Sequence, residues 1–398
     1  MQNKFSVADH WEGAFDESAL QSWAERLREQ LNPLLPSLGL VFMSPSHFDR
    51  AENILEILRV HARIPLLLGC SSQSLIAGQK EREDASGLVL GLYHLPRAEL
   101  KGIHFTQAQV DDCMEPGDWH QATDVTPAHT NGWLVFADPF HLNAEAWLDG
   151  WNQAYGPVPI LGGLASGDFQ TQATQVYLNG EVHREGGVAL SVGGEVELAS
   201  VISQGCTPIG ETWTITRAGE NLIYEIANRP AYAVLEETFQ KLSLAEQEQA
   251  RGNLFIGIVT NEYLEEFRRG DFLIRNLIGA DPKTGALAVG AFPRTGQTVQ
   301  FQRRDAAAST EDMTHLLAEA GDQWAGRAIY GGCLCSCNGR GQRLFGSPDH
   351  DARHVQQSLG PMGLSGFFCN GEIGPVGPRN FLHGYTASLA LFVQRRPS

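Results

Sequence analysis

Residues 351–375 read DARHVQQSLGPMGLSGFFCNGEIGP, and three kinds of structure follow one another in them. The first ten residues have helical spacing, the apolar middle predicts a buried strand, and GFFCNGE at 366–372 predicts a Gly-rich elbow. YTASLALFV at 385–393 then predicts a return strand rich in small residues. Helix, strand, elbow and return strand together form one α/β unit.

The same order of elements occurs twice earlier in the chain. AEAWLDGWNQAYG (144–156) predicts a helix that leads into the elbow GGLASGD (162–168), and residues 47–62 predict a helix that leads into GCSS (69–72). The copies are separated unevenly, by about 100 and then about 200 residues, which excludes a solenoid. We therefore predict an α/β protein with mixed β-sheets covered by helices and an internally repeated helix–strand–elbow–strand unit.

The remaining segments suggest how the chain divides. Residues 1–30 and 231–250 have helical spacing, as do 309–319, whereas 255–259 and 272–281 predict strands. Gly-centred turns predict a hairpin from 281–292 and 295–305. We place an N-terminal helical extension at 1–34, one domain at 35–228 and another at 229–398.

Composition excludes several classes of protein. The 398 residues are 42% hydrophobic and 19% charged, which indicates a folded globular chain, and the net charge of −17 disfavours nucleic acid as a partner. No segment has the pattern of a secretory signal or a membrane span, so we expect no membrane insertion. The seven cysteines are odd in number and unevenly spaced, and a chain this long does not need disulfides, so we expect reduced thiols and a cytoplasmic protein.

The segment 334–346, LCSCNGRGQRLFG, follows Cys333 and contains two further cysteines and a Gly-rich turn with an arginine. Along an extended strand, Cys333, Cys335 and Cys337 would lie about 6.6 Å apart per step, too far to share one tetrahedral zinc unless the chain bends at Ser336. We therefore interpret Cys333 and Cys335 as buried strand residues.

Cys337 differs because it stands at the start of the turn NGRG, close to Arg340. Turn amides and a guanidinium favour a thiolate, so Cys337 is a candidate reactive or ligand-contacting thiol, with His383 as a possible base. HDARH at 350–354 offers His350 and His354 at metal-ligand spacing on a helix, but no third ligand is evident and we interpret it as the first turn of a surface helix.

Phosphate-binding loops, GxGxxG and GxSxG are absent, and we expect no cofactor. Glycines at the strand ends allow a ligand to approach the backbone closely. Arg340 could hold a carboxylate and Glu372 an ammonium group, the two ends of an amino acid. Alternatively, Arg340 and Glu372 pair with each other.

The motifs GCSSQSLIAG, ILGGLASGD, LCSCNGRGQRLFG, GFFCNGEIGP and FLHGYTASLALF together resemble the FIST proteins over about residues 35–393. The resemblance implies an N-terminal and a C-terminal FIST domain and a sensory role in which a small ligand, such as an amino acid, is bound. No F-box, kinase, cyclase or methyl-accepting segment is present, so we expect a stand-alone FIST chain that relays binding to a partner protein.

The resemblance carries over no catalytic residues, and we expect a binding protein more than an enzyme. The alternatives are a thiol-dependent enzyme that uses Cys337 and a protein-interaction scaffold. The candidate ligand-binding residues are those of the most distinctive motifs and of the first two elbows: Cys337, Asn338, Arg340, Asn370, Glu372, His383, Cys70, Ser71, Gly162 and Gly163.

Overall fold

A computed structural model describes residues 4–167 and 170–396 of the chain. The chain divides into two compact units, one formed by residues 1–202 with 314–398 and the other by residues 203–313. The domain boundary predicted at 228/229 falls within the second unit and stays a prediction. Asp168, in the predicted elbow 162–168, lies outside the described residues.

The strands of the first unit are β1 (Ser6–Glu12), β2 (Leu38–Met43), β3 (Leu67–Ser71), β4 (Leu75–Ala77), β5 (Lys80–Arg82), β6 (Gly87–Tyr93), β7 (Ala98–Phe105), β8 (Gly132–Ala137), β9 (Ile160–Leu164), β10 (Val176–Leu178), β11 (Glu181–His183), β12 (Gly187–Gly194), β13 (Val196–Ser203), β21 (Ile329–Cys337), β22 (Leu364–Cys369), β23 (Glu372–Val376), β24 (Arg379–His383) and β25 (Ala387–Gln394). Strands β14 to β20 belong to the second unit and are given below.

The helices of the first unit are α1 (Glu17–Glu29), α2 (Ala51–His61), α3 (Gln107–Asp112), α4 (Pro116–Thr123), α5 (Ala144–Tyr155), α9 (Gln342–Phe345) and α10 (His350–Leu359). A 3-10 helix (Pro45–Arg50) precedes α2, and a second (Pro127–His129) precedes β8. Helix α8 (Ala306–Gln323) crosses the boundary between residues 313 and 314. The predicted helices at 47–62, 144–156 and 309–319 are confirmed.

Three six-stranded sheets make up the first unit, in the orders β1-β6-β2-β3-β10-β11, β7-β12-β8-β9-β23-β24 and β13-β25-β21-β22-β4-β5. Each sheet contains one parallel pair, namely β2 with β3, β8 with β9 and β21 with β22. Helices α2, α5 and α10 connect the two strands of these pairs. The predicted α/β class, with mixed sheets and a repeated unit, is therefore confirmed.

The repeat has six strands and occurs three times, as β1–β6, as β7–β12 and as β13 followed by β21–β25. Each sheet takes the first, sixth, second and third strands of one repeat and a hairpin, the fourth and fifth strands, from another. We call β4–β5, β10–β11 and β23–β24 the exchanged hairpins. Residues 203–313 are inserted in the third repeat and extend from the end of β13 into the first half of α8.

A glycine stands at the same place in all three parallel pairs. Gly69, Gly162 and Gly366 are the third residues of β3, β9 and β22, and their register partners are Val41, Val135 and Leu334. A Cβ on these glycines would lie 1.6, 1.9 and 2.1 Å from the partner's carbonyl oxygen. Only a residue without a side chain allows the strands to approach this closely.

The next register pair explains the buried cysteines of β21. Phe42 faces Cys70, Phe136 faces Gly163 and Cys335 faces Phe367, so each pair combines one ring with one small residue. The three rings meet in the core, with centroids 4.8 to 5.7 Å apart. Cys333 and Cys335 are buried there, as the sequence predicted.

The second unit has a seven-stranded sheet in the order β14-β20-β17-β18-β19-β15-β16. Its elements are β14 (Cys206–Gly219), β15 (Leu222–Ile226), β16 (Arg229–Pro230), α6 (Ala231–Gln240), α7 (Leu244–Ala250), β17 (Leu254–Val259), β18 (Phe272–Asp281), β19 (Ala286–Val289) and β20 (Thr298–Arg304). A core of its own contains Ile215, Ile256 and Leu287. The helical segment predicted at 231–250 is confirmed as α6 and α7.

One predicted element is wrong, and another is correct only over Glu17–Glu29, which forms α1. Residues 281–292 and 295–305 do not form a hairpin with each other, because β19 pairs with β18 and β15 whereas β20 pairs with β14 and β17. The segment 1–30 is not helical throughout, because Ser6–Glu12 forms β1 and pairs with β6 before α1 begins.

Candidate functional site

The three elbows that follow β3, β9 and β22 meet in the first unit. The hydroxyls of Ser72 and Ser166 lie 2.9 and 2.7 Å from the carbonyl oxygen of Phe368, and 3.1 Å from each other. The backbone N–H of Asn370 donates to the carbonyl of Leu164, and the backbone N–H of Phe368 donates to the carbonyl of Ser74. The elbows are therefore held together by hydrogen bonds among buried groups, and this elbow junction organises the candidate site.

Half-buried polar residues of the third repeat border the elbow junction. Cys337, Asn338 and Asn370 are each partly exposed. The Asn338 side-chain amide donates to Asn370 Oδ1 at 2.7 Å, and the Asn370 amide donates to the Ala165 carbonyl at 3.1 Å. Gln73 is the half-buried amide of the first elbow, and its backbone N–H donates to Ser166 Oγ at 3.2 Å. Three amide side chains thus border the same junction.

Arg340, a predicted ligand-binding residue, lies inside the protein and pairs with Asp351. Its side chain is fully buried, and its Nε and Nη2 groups donate to the Asp351 carboxylate at 2.6 and 2.9 Å. Asp351 also accepts from Ser336 Oγ and contacts His350 Nδ1. Burial disfavours the carboxylate, but the guanidinium outweighs it and holds the pKa of Asp351 well below its usual range.

The third nitrogen of this guanidinium does not contact Asp351 in the way that Nε and Nη2 do. Arg340 Nη1 is buried and has no hydrogen-bond acceptor among the described residues. A charged buried donor without an acceptor is energetically unfavourable.

Glu372, the first residue of β23, lies next to this cation and is itself fully buried. Its Oε2 accepts from the Thr386 backbone N–H at 2.9 Å, and its Oε1 accepts from the Cys369 thiol at 3.3 Å. Burial raises the pKa of Glu372 to about 7, although these donors, Arg340 and the Cys337 thiol all favour the carboxylate. The alternative was that Arg340 pairs with Glu372. The hydrogen-bonded partner of Arg340 is instead Asp351.

The turn before Thr386 has an unusual backbone. Tyr385 has a φ of 66°, in the left-handed region that large side chains rarely adopt. The residue after it directs its N–H to Glu372. Such strain is kept where the surrounding structure requires it, and here it accompanies the donor that satisfies a buried carboxylate.

Glu81 is a buried acid that the sequence did not indicate. It lies on β5, in an exchanged hairpin, and its Oε1 accepts from the Ala352 backbone N–H at 2.9 Å. Burial, and then the Asp351 carboxylate, raise the pKa of Glu81 to about 8. Its Oε2 is buried without a hydrogen bond among the described residues. The sequence does not indicate that Glu81 is buried, because KER at 80–82 is typical of an exposed strand.

Four other predicted site residues lie in strands β3 and β9. Cys70 is buried in the apolar core, and the Ser71 hydroxyl donates to the Ser166 carbonyl. Gly162 and Gly163 pair with Ile373 and Glu372 in the sheet, so they set the distance between β9 and β23. They hold the elbows in place without presenting side chains of their own.

His383 is buried beside the site as the register partner of Glu372. Its Nε2 lies 3.0 Å from the Gly374 carbonyl, which can only accept, so Nε2 carries the proton in this contact. The proposed role of His383 as a base for Cys337 would therefore need its other ring nitrogen.

The predicted surface helix at 350–354 exists as α10, but its first turn is not solvated. Asp351 and Ala352 are buried, and the Asp349 carboxylate accepts from the Lys80 ammonium and from the Glu81 backbone N–H. Within residues 4–167 and 170–396, no group of three His, Cys, Asp or Glu side chains is arranged to hold a metal ion.

Two clefts lie near the chain ends and the first elbow. A cleft of about 1110 Å³ is lined mainly by apolar residues, including Phe5, Leu34, Ile329 and Met362. A smaller cavity of about 320 Å³ is lined by Gln73 of the first elbow and by polar neighbours: Ser44, Ser46, Asp84 and Ser86. Most residues that line the smaller cavity are polar, whereas most that line the larger cleft are apolar. No helix in the described part of the chain is both long and apolar enough to cross a bilayer.

The chain is similar in sequence to several uncharacterized proteins. An uncharacterized protein from Mycobacterium tuberculosis is 37% identical over 370 residues, which cover 93% of this chain and 94% of the relative. One from Mycobacterium bovis is 36% identical over the same length, and one from Methanocaldococcus jannaschii is 20% identical over 277 residues. A solved structure of cyanuric acid hydrolase covers 98% of this chain and 100% of its own, at 9% identity and a TM-score of 0.32.

The family comparison is more specific. The FIST N domain matches residues 37–229 and the FIST C domain matches residues 231–375. Domains of this kind are associated with the sensing of small ligands in signalling. The chain therefore belongs to the FIST family.

Proposed function

We propose that this chain is a cytoplasmic sensory protein that binds a small polar metabolite, an amino acid or a similar molecule, at the elbow junction and relays binding to a partner protein. The observation that carries the proposal is the convergence of three elbows on one place bordered by half-buried Asn338 and Asn370. The association of FIST domains with small-ligand sensing supports the same role.

The amide side chains suit a zwitterion. A primary amide offers two N–H donors, which fit a carboxylate, and a carbonyl oxygen, which fits an ammonium group. Asn338 and Asn370 now bond to each other, and a ligand that competes for those groups would exchange one hydrogen bond for another. The binding free energy would then come mainly from new charge-assisted contacts.

Arg340 and Glu372 take a supporting role in this proposal. Asp351 occupies two guanidinium donors of Arg340, and Thr386 and Cys369 occupy Glu372. Their charges still act over a short distance in a buried environment, where screening by solvent is weak. They would therefore select for a ligand with separated positive and negative ends rather than grip it directly.

A signal to a partner needs an element that responds to the ligand. The Asn370 amide donates to Ala165 on the second elbow, so a ligand that displaces it alters a contact between the third repeat and the second. We expect the partner to distinguish these two arrangements.

A thiol-dependent enzyme is the second candidate, and one observation favours it. Cys337 is half-buried at the junction and hydrogen-bonds to Glu372, whose pKa is about 7. A carboxylate with this pKa suits general-base catalysis near neutral pH. An enzyme would lose turnover in Cys337→Ala while keeping affinity, whereas a sensor would show no turnover.

A thermal-shift screen against amino acids and small carboxylates tests the binding proposal. A ligand at 100 times its dissociation constant adds about 2.7 kcal/mol of stability, which is readily detected. We expect at least one amino acid to stabilise the wild type, with the shift lost in Asn338→Ala and Asn370→Ala. Asn53→Ala, on the exposed face of α2, is the matched control and should keep the shift.

The proposal fails if no amino acid or small carboxylate stabilises the wild type. It also fails if the two junction variants retain the full shift, because the ligand would then bind elsewhere.

A further inference from the structure

Two thiols stand opposite each other at the ends of a parallel strand pair. Cys337 is the last residue of β21, Cys369 is the last residue of β22, and the two are register partners. Neighbouring strands lie about 4.8 Å apart, within the roughly 4.4–6.8 Å between Cα atoms that a disulfide spans. The backbone therefore places these two cysteines at a distance that a covalent bond can bridge.

One carboxylate serves both thiols. Glu372 Oε1 accepts from the Cys369 thiol at 3.3 Å, and the Cys337 thiol hydrogen-bonds to the same side chain. The other groups that face Glu372 are the Arg340 guanidinium, the Thr386 N–H and its register partner His383. A shared carboxylate is an acceptor for the proton that a thiol must lose before it reacts.

The two thiols differ in access. Cys337 is half-buried at the elbow junction, whereas Cys369 is fully buried and also contacts the Ser336 carbonyl. A small oxidant would reach Cys337 first, and Cys369 would be protected from solvent until the second step. The Cys337 thiol also interacts electrostatically with the Arg340 guanidinium.

We propose that Cys337 and Cys369 form a reversible disulfide on reaction with a hydroperoxide, with Glu372 as the proton acceptor. In the first step, the Cys337 sulfur attacks the peroxide, the O–O bond breaks, and a sulfenic acid and one molecule of water or alcohol form. In the second step, Cys369 transfers its proton to Glu372 and its sulfur attacks Cys337. The S–O bond breaks, and the hydroxide takes up that proton and leaves as water.

In the two steps together, the two thiols lose two electrons and two protons, and the peroxide takes them up as it is reduced. The disulfide would also remove both thiol hydrogen bonds from Glu372. This inference does not depend on the ligand proposed above, since the reaction can be followed without one.

Mass spectrometry of the full chain tests the inference. The purified protein is exposed to hydrogen peroxide, remaining thiols are alkylated, and the chain is digested after Lys and Arg. Residues 328–340 and 354–379 should be joined in one species that dithiothreitol separates. Because residues 328–340 also contain Cys333 and Cys335, fragment ions must assign the link to Cys337.

Variants distinguish the proposed roles. Cys337→Ser should abolish the linked species, whereas Cys369→Ala should leave a sulfenic acid that dimedone traps. Cys113→Ser, a partly exposed cysteine elsewhere, is the control and should form the link normally. Glu372→Gln should slow link formation by at least about tenfold and remove the rise in rate near pH 7 that a general base gives.

Thermal melts of each variant confirm that it is folded before its rate is compared. The inference is overturned if peroxide leaves both thiols intact, or if Cys337 proceeds to sulfinic acid without a link to Cys369. A pH–rate profile unchanged in Glu372→Gln would overturn the role given to that carboxylate.

Discussion

At the scale of single residues, Asp351 is the group that allows Arg340 to be buried. Removing one partner of a buried ion pair leaves an uncompensated charge, which typically destabilises a protein by about 3–5 kcal/mol. We expect Asp351→Ala to lower the free energy of unfolding by that amount. Urea unfolding followed by tryptophan fluorescence measures it, because every tryptophan except Trp213 belongs to the first unit.

The control for this substitution lies on the same helix. Arg353 pairs at 3.3 Å with Asp349, but its side chain is 46% exposed, so Arg353→Ala should change stability by no more than about 0.5 kcal/mol. Equal losses in the two variants would show that the buried pair has no special role.

The raised pKa of Glu81 predicts that the stability of the protein depends on pH. Its folded pKa of about 8 lies above the ordinary 4.5, so between these values the folded state holds a proton that the unfolded state has released. The corresponding stability is complete below pH 4.5 and is lost as pH rises towards 8, at about 1.4 kcal/mol per pH unit. Glu81→Gln cannot lose this proton.

The stability of Glu81→Gln relative to wild type should therefore increase steadily from pH 5 to pH 8. Urea unfolding of both proteins at steps of one pH unit measures this difference in stability. The pKa of Glu372 is also raised, but Glu372 is present in both proteins, so its contribution largely cancels. Asp351, Arg340 and Glu83 also act on Glu81, and none of them is changed by the substitution. A pH-independent difference would contradict the assignment.

The sequence was informative about single residues where the local pattern determines the environment. Cys333 and Cys335 lie on a strand and are buried, as predicted from the usual burial of free cysteines. The partner of Arg340 was not predicted, because its choice of Asp351 over Glu372 depends on how α10 packs. Glu81 was missed because its neighbours in sequence are exposed and its burial comes from contact with the distant helix α10.

At the scale of secondary-structure elements, the parallel pairs depend on glycine. A Cβ at residue 69 would lie 1.6 Å from the carbonyl oxygen of Val41, which is part of a strand and cannot rotate away. Overpacking of this kind destabilises by typically 1–3 kcal/mol, and we expect Gly69→Ala to reach about 3 kcal/mol. The same fluorescence-detected urea unfolding measures it.

Gly117→Ala provides the comparison for the same chemical change. A Cβ at residue 117 would have no atom within 4 Å, and the residue lies in α4, so alanine should be neutral or slightly stabilising. If Gly69→Ala is tolerated equally well, the close approach of β2 and β3 is not required for the fold.

The elements with a clear period were predicted correctly, including the three helices that lead into the elbows. The hairpin predicted from 281–305 failed because turn chemistry shows where a strand can reverse but not which strand it pairs with. Strand β1 was missed because it is an edge strand whose pairing with β6 lies far away in sequence.

At the scale of the whole molecule, the exchanged hairpins make the repeats of the first unit depend on one another. Residues 1–228 lack β21 to β25, so β4–β5 would lose its pairing with β22, and β9 would lose β23. We expect this fragment to be insoluble or unfolded by near-ultraviolet circular dichroism. Coexpression with residues 229–398 should restore a soluble complex.

A cooperative melt of residues 1–228 alone would contradict this dependence. The FIST N and FIST C domains meet at residues 229–231, whereas the compact units divide at residues 202/203 and 313/314. The repeat of helix, strand and elbow was readable from sequence, but the exchange was not. A short strand such as Leu75–Ala77 carries no signal for the distant strand with which it pairs.

The most direct test of the account is a crystal structure of the protein with the amino acid that stabilises it most in the thermal-shift screen. We predict ligand density at the elbow junction, within hydrogen-bonding distance of the Asn338 and Asn370 side-chain amides. Density in the apolar cleft lined by Phe5, Ile329 and Met362, with the junction unchanged, would contradict the proposed site.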